Sequence, residues 1–385
     1  MQYPRNTLFL PRWYPSQNDM QNGVFIQKHA RAAAMKNKVV VLYAIATNGE
    51  SRITDSNYGN LREVIIYYAA GHISLLNFIT SVKALFAIWR YVRRSGFQPD
   101  VCHLNVSGRQ SLLALWINRK YSVPFIISEH WSGFISGQYE MQSFLKRLFT
   151  AYVFRKAALV TVVSETLKRA IINCGLRKDI KLLPNVVNVQ PDAWKLHPVN
   201  AKFRFLAVAD LKDEIKNISG IIRAFSEVHK NEPTAELMIV GEGKDRGMLE
   251  SLVRNLKLEA ACHFTGIKSN DEVLKIIPTA HVIIVNSRIE TFSVITLEAI
   301  FSGRPVIATR CGGPEQFINE RNGILIEKDN PDELKNAMLS IKKNYSKYSP
   351  HQVKESVPAC YDMESIGRLL DGYYEEVLTG PIKAR

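Results

Sequence analysis

The stretch Asn286-Ser287-Arg288-Ile289-Glu290-Thr291-Phe292-Ser293-Val294-Ile295-Thr296-Leu297-Glu298 decides how the rest of this sequence is interpreted. The apolar, β-branched run at 281–285 before it predicts a buried strand. After it, apolar residues keep a helical spacing until Gly303 and Pro305 end the pattern. The stretch therefore predicts a strand, a polar loop and a helix that begins near Phe292 and Ser293.

Two carboxylates flank the predicted helix start, with Glu290 in the loop and Glu298 about two turns into the helix. The first amides of a helix have no intrahelical acceptor, and together with the helix dipole they attract phosphate. A nucleotide-sugar fits this layout, with its diphosphate on the helix start, one glutamate on the ribose and the other on the hexose. Spacing alone fits equally well a solvated loop acid and a surface helix acid.

The remaining sequence alternates short apolar runs with helical segments. The first half predicts strands at 7–10, 39–43, 63–67 (near a sheet edge), 101–104, 125–128 and 159–163. The second half predicts strands at 203–208, 236–240, 262–265, 282–285 and 306–308, with helices at 218–229 and 244–255 among those between them. Strands separated by helices predict parallel sheets with helices on both faces. The fold class is therefore α/β, in two Rossmann-like domains at 1–190 and 200–362, joined by a proline-containing polar connection at 184–198.

Polar side chains follow several predicted strands at their carboxyl ends, where open α/β sheets bind ligands. They include Asn105, Glu129, His130, Ser164 and Glu165 in the first half, and 209–216, 241–243 and 286–290 in the second. Their clustering predicts one cleft between the two domains.

Composition excludes several classes of protein. No apolar run reaches the ~18 residues needed to span a bilayer, and the first residues lack a signal peptide's apolar core. The five dispersed cysteines indicate neither disulfides nor a zinc site. The sequence thus predicts a cytoplasmic protein. Its net charge of +14 favours a polyanionic partner, and no nucleic-acid-binding motif accompanies that charge.

Four motifs resemble one enzyme family: Glu290-x-Phe-Ser, Leu297-Glu298-Ala299, Gly303-Arg-Pro-Val-Ile-Ala308 and Gly312-Gly313-x-Glu315. Together they closely resemble the E-x7-E region of glycosyltransferase family 4, the retaining GT-B glycosyltransferases. The resemblance implies a GT-B architecture of two Rossmann-like domains facing each other across a cleft, with a final helix (365–385) crossing back onto the first. It also implies a nucleoside-diphosphate sugar donor and transfer with retention, without a metal ion or other cofactor.

By the same resemblance, His130 is a candidate catalytic residue that contacts the transferred sugar, and Glu290 is the second. A histidine beside Trp131 equally fits a packed residue. His103 and Asn105 end a predicted strand, and either hold the acceptor or serve the interior. Gly23 is weaker evidence, from a single glycine, that the backbone there lies close to the acceptor side of the cleft.

Candidate donor-binding residues lie in the second half. The segment Val208-Ala209-Asp210-Leu211…Lys216 resembles a family pattern in which an arginine and a lysine neutralise the two phosphates. Lys216 matches the lysine, but Asp210 stands where the arginine is expected; it is expected to turn away or to pair with Lys212. Either Arg288 or Arg310 is a candidate for the missing charge. The remaining donor-binding candidates are Gly241 and Gly243 in a turn after a strand, Phe292, Ser293 and Val294 at the helix start, and Glu298.

Two segments without acidic residues, 73–98 and 141–156, carry apolar residues at helical spacing with lysines and arginines alongside. Basic amphipathic helices bind anionic bilayer surfaces, but ordinary core helices with solvated cationic sides have the same pattern. The membrane interpretation places the protein on the inner face of the cytoplasmic membrane and predicts a glycan or lipid-linked acceptor, in polysaccharide or lipopolysaccharide assembly. Two alternatives stay open: a GT-B sugar-nucleotide epimerase, and a non-catalytic membrane or polyanion binder, which Asp210 favours.

Overall fold

The computed structural model describes residues 4–69, 74–190, 192–195 and 202–380. Contacts divide the chain into two units: the first contains the residues up to Val186 and those from Cys360 onward, and the second contains Val187–Ala359. Parts of the predicted connection (191 and 196–198), of the first basic segment (73) and of the final helix (381–385) lie outside the described residues.

The first unit is built on an eight-stranded sheet in the order β3-β4-β2-β1-β5-β6-β7-β8. Its strands are β1 Asn6–Pro11, β2 Lys38–Thr47, β3 Arg52–Tyr58, β4 Leu61–Ala69, β5 Val101–Asn105, β6 Phe125–Glu129, β7 Leu159–Val162 and β8 Lys181–Leu182. Every neighbouring pair is parallel except β3 and β4, which form an antiparallel hairpin. The strand expected near an edge, β4, is therefore one position inside the sheet, because the polar and mostly exposed β3 covers it.

In the described part of the chain, the α-helices between these strands are α1 Val24–Ala34, α2 Ser74–Arg94, α3 Ser111–Tyr121, α4 Phe144–Lys156 and α5 Glu165–Asn173. The central strands β1, β5 and β6 are buried along nearly their whole length, as expected for parallel strands covered on both faces. The chain order reverses between β1 and β5. Ligands of open α/β sheets bind at such a switch point.

The second unit has a six-stranded, wholly parallel sheet in the order β11-β10-β9-β12-β13-β14. Its strands are β9 Arg204–Val208, β10 Glu236–Val240, β11 Cys262–Phe264, β12 Val282–Val285, β13 Val306–Thr309 and β14 Gly323–Ile326. Its helices are α6 Asp213–Lys216, α7 Ile218–Asn231, α8 Arg246–Asn255, α9 Asn270–Ile276, α10 Val294–Phe301, α11 Pro331–Lys343 and α12 Pro350–Lys354. The switch point lies between β9 and β12, so the loops after these strands are the expected ligand site.

The last helix, α13 Met363–Thr379, belongs to the first unit and packs against α1. A Cβ at Gly367 would lie 2.7 Å from the carbonyl oxygen of Ala32, so glycine permits this close approach. Among the described residues, no helix is both long and apolar enough to cross a membrane.

Candidate functional site

Helix α10 begins where the sequence predicts a helix start, directly after Ser293. Ser293 precedes the helix with φ 67°, in the left-handed region, and its side chain makes no cap for the helix. Instead the Ser293 and Thr296 hydroxyls hydrogen bond to each other at 2.8 Å. Val294 is the first helical residue. The Thr296 amide donates to the Ser293 carbonyl at 3.2 Å. Because the Ser293 side chain does not cap the helix, the two amides before Thr296, of Val294 and Ile295, are the candidates to serve an anion.

Two backbone hydrogen bonds hold Glu290 beside the start of α10. Its amide donates to the Cys311 carbonyl at 3.0 Å, and the Gly313 amide donates to the Glu290 carbonyl at 2.8 Å. A Cβ at Gly313 would lie 2.5 Å from the Phe292 carbonyl carbon. The glycine pair of the family motif therefore lets the loop before α10 lie directly against the loop after β13. Phe292 is buried, with its ring against that of Phe317.

Lys216, the last residue of α6, forms an ion pair with Glu290. The Ser287 hydroxyl donates to the same carboxylate oxygen at 3.0 Å. Burial is the largest influence on the pKa of Lys216 and lowers it, but the Glu290 carboxylate more than offsets burial and the pKa is raised. Lys216 thus stays charged at neutral pH. The sequence predicted Lys216 as a donor-binding residue and Glu290 as a catalytic residue, but it did not predict that the two side chains form an ion pair.

Glu298 is the fifth residue of α10, one turn into the helix rather than two, and is 3% exposed. The Asn270 amide donates to its carboxylate at 3.1 Å. Asn270 is the first residue of α9, whose start is fixed by a reciprocal capping box between Ser269 and Glu272. The sequence analysis missed Asn270, although Ser269-x-x-Glu272 marks a helix start there.

The turn after β10 approaches the loop after β9 so closely that it requires glycine. A Cβ at Gly243 would lie 2.6 Å from the Leu211 carbonyl oxygen, and one at Gly241 would overlap the Ala209 carbonyl oxygen. Gly241 also has φ 146°. Close contact with 209–211 requires glycine at both positions, and donor binding by Gly241 and Gly243 stays a prediction.

Asp210 points mainly to solvent: its side chain is 71% exposed and lies 3.9 Å from the Lys212 ammonium. Both candidates for the missing positive charge have acidic partners. Arg288 donates to Asp329 at 2.7 Å and to the Asp213 carbonyl at 2.7 Å, and Arg310 lies 3.1 Å from Glu327. Of the cations considered, Lys216 is the one in contact with a residue of the E-x7-E stretch.

In the first unit, His130 follows β6 and is 6% exposed. Its ring centroid lies 4.7 Å from that of Phe25 and 5.5 Å from that of His29. Within the described part of the chain, neither of its ring nitrogens has a hydrogen-bond partner. Burial, followed by the nearby His29 and His103, holds the pKa of His130 well below its usual range. A neutral imidazole with both nitrogens available can donate one hydrogen bond and accept another.

The buried carboxylate of Glu129 holds the backbone around His130. It accepts from the amides of Ser107, His130 and Trp131 at 3.1, 2.9 and 3.0 Å. Burial raises the pKa of Glu129, against the lowering effect of these three backbone hydrogen bonds. The sequence analysis noted Glu129 only as a polar strand-end residue.

The acceptor-side candidates His103 and Asn105 are fully buried. His103 Nδ1 lies 2.8 Å from the Tyr374 hydroxyl and Nε2 lies 2.7 Å from the Ser128 hydroxyl. The Asn105 amide donates to the His103 carbonyl at 3.2 Å. Neither side chain offers exposed surface to an acceptor, so an interior role accounts for both.

Gly23 immediately precedes α1 with φ 73°, and a Cβ there would lie 2.6 Å from the Tyr14 amide nitrogen. It therefore permits close contact between the start of α1 and the loop after β1.

Solved structures define the fold. Over 98% of this chain and 100% of the other, it is similar to sucrose-phosphate synthase from Thermosynechococcus elongatus, with a TM-score of 0.77 and 19% identity. Over 97% and 100%, it is similar to Anabaena HepE in complex with UDP-glucose, with a TM-score of 0.71 and 17% identity. With the two parallel α/β sheets, these similarities define a GT-B glycosyltransferase fold.

Family models identify the chain more closely. The model for Glycosyltransferase Family 4 matches residues 23–191, and that for Glycosyl transferases group 1 matches residues 188–356. The chain belongs to glycosyltransferase family 4, as the E-x7-E motif predicted.

The chain aligns with only part of the length of the curated relatives that it matches. An uncharacterised glycosyltransferase of Methanocaldococcus jannaschii is 26% identical over 246 residues, 64% of this chain and 66% of that protein. Alpha-monoglucosyldiacylglycerol synthase of Acholeplasma laidlawii is 23% identical over 292 residues, 68% of this chain and 71% of that protein.

Proposed function

We propose that this protein is a retaining hexosyltransferase that moves a sugar from a nucleoside-diphosphate sugar to a glycan or lipid-linked acceptor. Its pathway would be the synthesis of cell-surface polysaccharide or lipopolysaccharide. The observation that carries the proposal is the contact between Lys216 and Glu290 beside the uncapped start of α10, with Glu298 buried one turn further on.

In the proposed reaction, negative charge builds on the diphosphate as the anomeric bond breaks. The first amides of α10 and the Lys216 ammonium stabilise that charge, and removal of one such preorganised group costs about 3 kcal/mol of transition-state stabilisation. No metal ion is required in this scheme. The acceptor hydroxyl attacks from the face that the diphosphate leaves and gives its proton to a departing diphosphate oxygen, so the anomeric configuration is retained.

The two glutamates have separate roles. Glu298 accepts hydrogen bonds from the ribose hydroxyls, which suits a buried carboxylate with one oxygen held by Asn270. Glu290 accepts from a hexose hydroxyl and keeps Lys216 protonated. His130, a neutral imidazole, hydrogen bonds to the transferred sugar through a ring nitrogen.

Two of the similar proteins support the proposed classes of donor and acceptor. The Anabaena HepE structure contains UDP-glucose, which supports a nucleotide-sugar donor. The name of the Acholeplasma laidlawii synthase specifies a glucosylated diacylglycerol, which supports an acceptor that contains lipid. A peripheral position on the inner face of the cytoplasmic membrane is part of the proposal.

Incubation with a panel of nucleoside-diphosphate sugars tests the proposal. Slow release of free nucleoside diphosphate from one donor supports the transferase. An altered sugar on an intact nucleotide would contradict the transferase proposal and favour a sugar-nucleotide epimerase. A lack of saturable binding of any donor would contradict both activities and favour a non-catalytic membrane or polyanion binder.

A further inference from the structure

Helix α4 exposes an unusual concentration of large apolar side chains. Along α4 and the residue positions just before it, five such side chains are 41–85% exposed: Met141, Phe144, Leu145, Leu148 and Tyr152, here called the α4 face. Within α4, Phe144, Leu148 and Tyr152 are four residues apart and Leu145 is next to Phe144, so these four lie on one side of the helix, while Met141 precedes it. The helix is anchored by its other end, where Val153 and Phe154 are buried.

The α4 face is surrounded by positive charge. Residues 141–156 contain no acid, and Lys146, Arg147, Arg155 and Lys156 lie among the exposed apolar residues. The guanidinium of Arg155 lies 5.5 Å from the ring centre of Tyr152. The adjacent Glu140 accepts from the Cys174 thiol at 3.0 Å.

A groove of about 860 Å³ lies beside the α4 face. Its walls combine apolar and cationic groups: Leu145, Leu148, Tyr152, Arg155, Leu176 and Arg177. Arg177 donates to the carbonyls of Phe154, Ala157 and Ala158 at 3.1, 2.6 and 3.2 Å. These bonds hold the end of α4 in place, so the groove is built into the fold.

Helix α2, the other basic segment, differs. Leu85, Ile88, Trp89 and Val92 are buried in the first unit. Exposed large apolar residues near its start are Leu76, Phe78 and Ile79. A core role therefore accounts for most of the apolar pattern of α2 but for little of that of α4.

We propose that the α4 face and its groove dock on the surface of an anionic lipid bilayer. The apolar side chains enter the interface between headgroups and acyl chains, and Arg147, Arg155 and Lys156, which lie on or beside this side of α4, contact lipid phosphates. Charge complementarity favours this occupant over a second copy of a chain whose net charge is +14. This inference deepens the proposed function and rests on its membrane location.

Vesicle flotation tests the proposal with the full chain. Vesicles of phosphatidylcholine with and without phosphatidylglycerol are compared at about 0.01 M and about 1 M salt, where the Debye length falls from about 30 to about 3 Å. The wild type should float with anionic vesicles at low salt and be released at high salt. Leu145→Glu with Leu148→Glu should lower the partition coefficient more than about tenfold, and Arg155→Ala alone, at a cation that lines the groove, about fivefold.

The matched control is Leu76→Glu with Phe78→Glu, which makes the same charge change at similarly exposed positions of α2. It should keep wild-type binding. Equal binding by the α4 and control variants would overturn the inference, and so would a wild-type dimer that the α4 substitutions dissociate. A wild type that ignores anionic vesicles would also remove the proposed membrane location, whereas release of nucleoside diphosphate tests glycosyl transfer separately.

Discussion

The side-chain amide of Asn270 donates to the carboxylate of Glu298 at 3.1 Å, and the Asn188 amide donates to Asn270 at 3.1 Å. The capping box of α9 fixes the backbone at Asn270. The orientation of the acid proposed to hold the ribose therefore depends on a residue from another helix. Asn270 is a positioning residue in this scheme.

Substitution of Asn270 with aspartate should make nucleotide binding depend on pH. At low pH one proton shared by the two carboxyl groups preserves a hydrogen bond, whereas at high pH two carboxylates repel. Affinity for the nucleoside diphosphate, measured by calorimetry, should fall about tenfold or more at high pH and recover on acidification. Asn270→Ala should weaken binding without that recovery. An Asn270→Asp protein with wild-type affinity at every pH would remove the positioning role.

Substitution of Lys216 with alanine should lower kcat/KM by on the order of 100-fold, because the leaving diphosphate loses its cation. Lys216→Arg should restore part of the loss. The control is Lys212→Ala, which removes a nearby lysine whose side chain is 53% exposed, and should leave kcat/KM close to wild type. Equal effects of the two alanine substitutions would count against phosphate stabilisation by Lys216.

Substitutions of Glu298 and Glu290 should have different effects on the steady-state kinetic constants. Glu298→Ala should weaken nucleotide binding, and Glu290→Ala should mainly slow transfer. Negligible effects from both would contradict their assigned roles.

Glu290→Ala should also change the alkaline limb of the pH–rate profile. Without the carboxylate, burial lowers the pKa of Lys216 unopposed by its main partner. Lys216 then loses its proton, and activity declines, at a lower pH than in the wild type. Glu290→Gln, which keeps the shape of the side chain, should show the same shift. An alkaline limb identical to that of the wild type would indicate that the charge of Lys216 does not depend on Glu290.

Burial lowers the pKa of His29 to about 4, against its hydrogen bond to the Pro184 carbonyl. The unfolded chain protonates this histidine near pH 6.5, so the free energy of unfolding should decline as pH falls below about 6.5 and level off near pH 4. The loss from this group is about 3 kcal/mol. Urea unfolding at several pH values should show a shallower decline for His29→Gln, whereas His351→Gln, at an exposed position, should follow the wild type. Parallel profiles for all three proteins would contradict this account of His29.

Local sequence predicted the elements whose burial is uniform. All four residues of β12 are buried, and α10 begins where the polar loop ends. Strand β3 escaped prediction because an exposed strand that covers an edge lacks an apolar pattern. Strand β8, of two residues, is too short to show one. Strand β14 also escaped prediction; it begins with a glycine and lies at the edge of its sheet, where two of its four residues are only half-buried.

Local sequence patterns could not predict which side chains distant in the sequence contact each other. Lys216 and Glu290 are 74 positions apart, and Asn270 and Glu298 are 28 apart. Only folding of the second unit brings each pair together. The same limit explains His103: its position near the end of a strand suggested a ligand contact, whereas its partner Tyr374 comes from α13.

The most direct test of the central claim is a crystal structure with a nucleoside diphosphate bound. The account predicts a phosphate within hydrogen-bonding distance of the first amides of α10 and of the Lys216 ammonium, with the ribose hydroxyls on Glu298. Nucleotide bound elsewhere, with Glu298 contacting only protein groups, would contradict it.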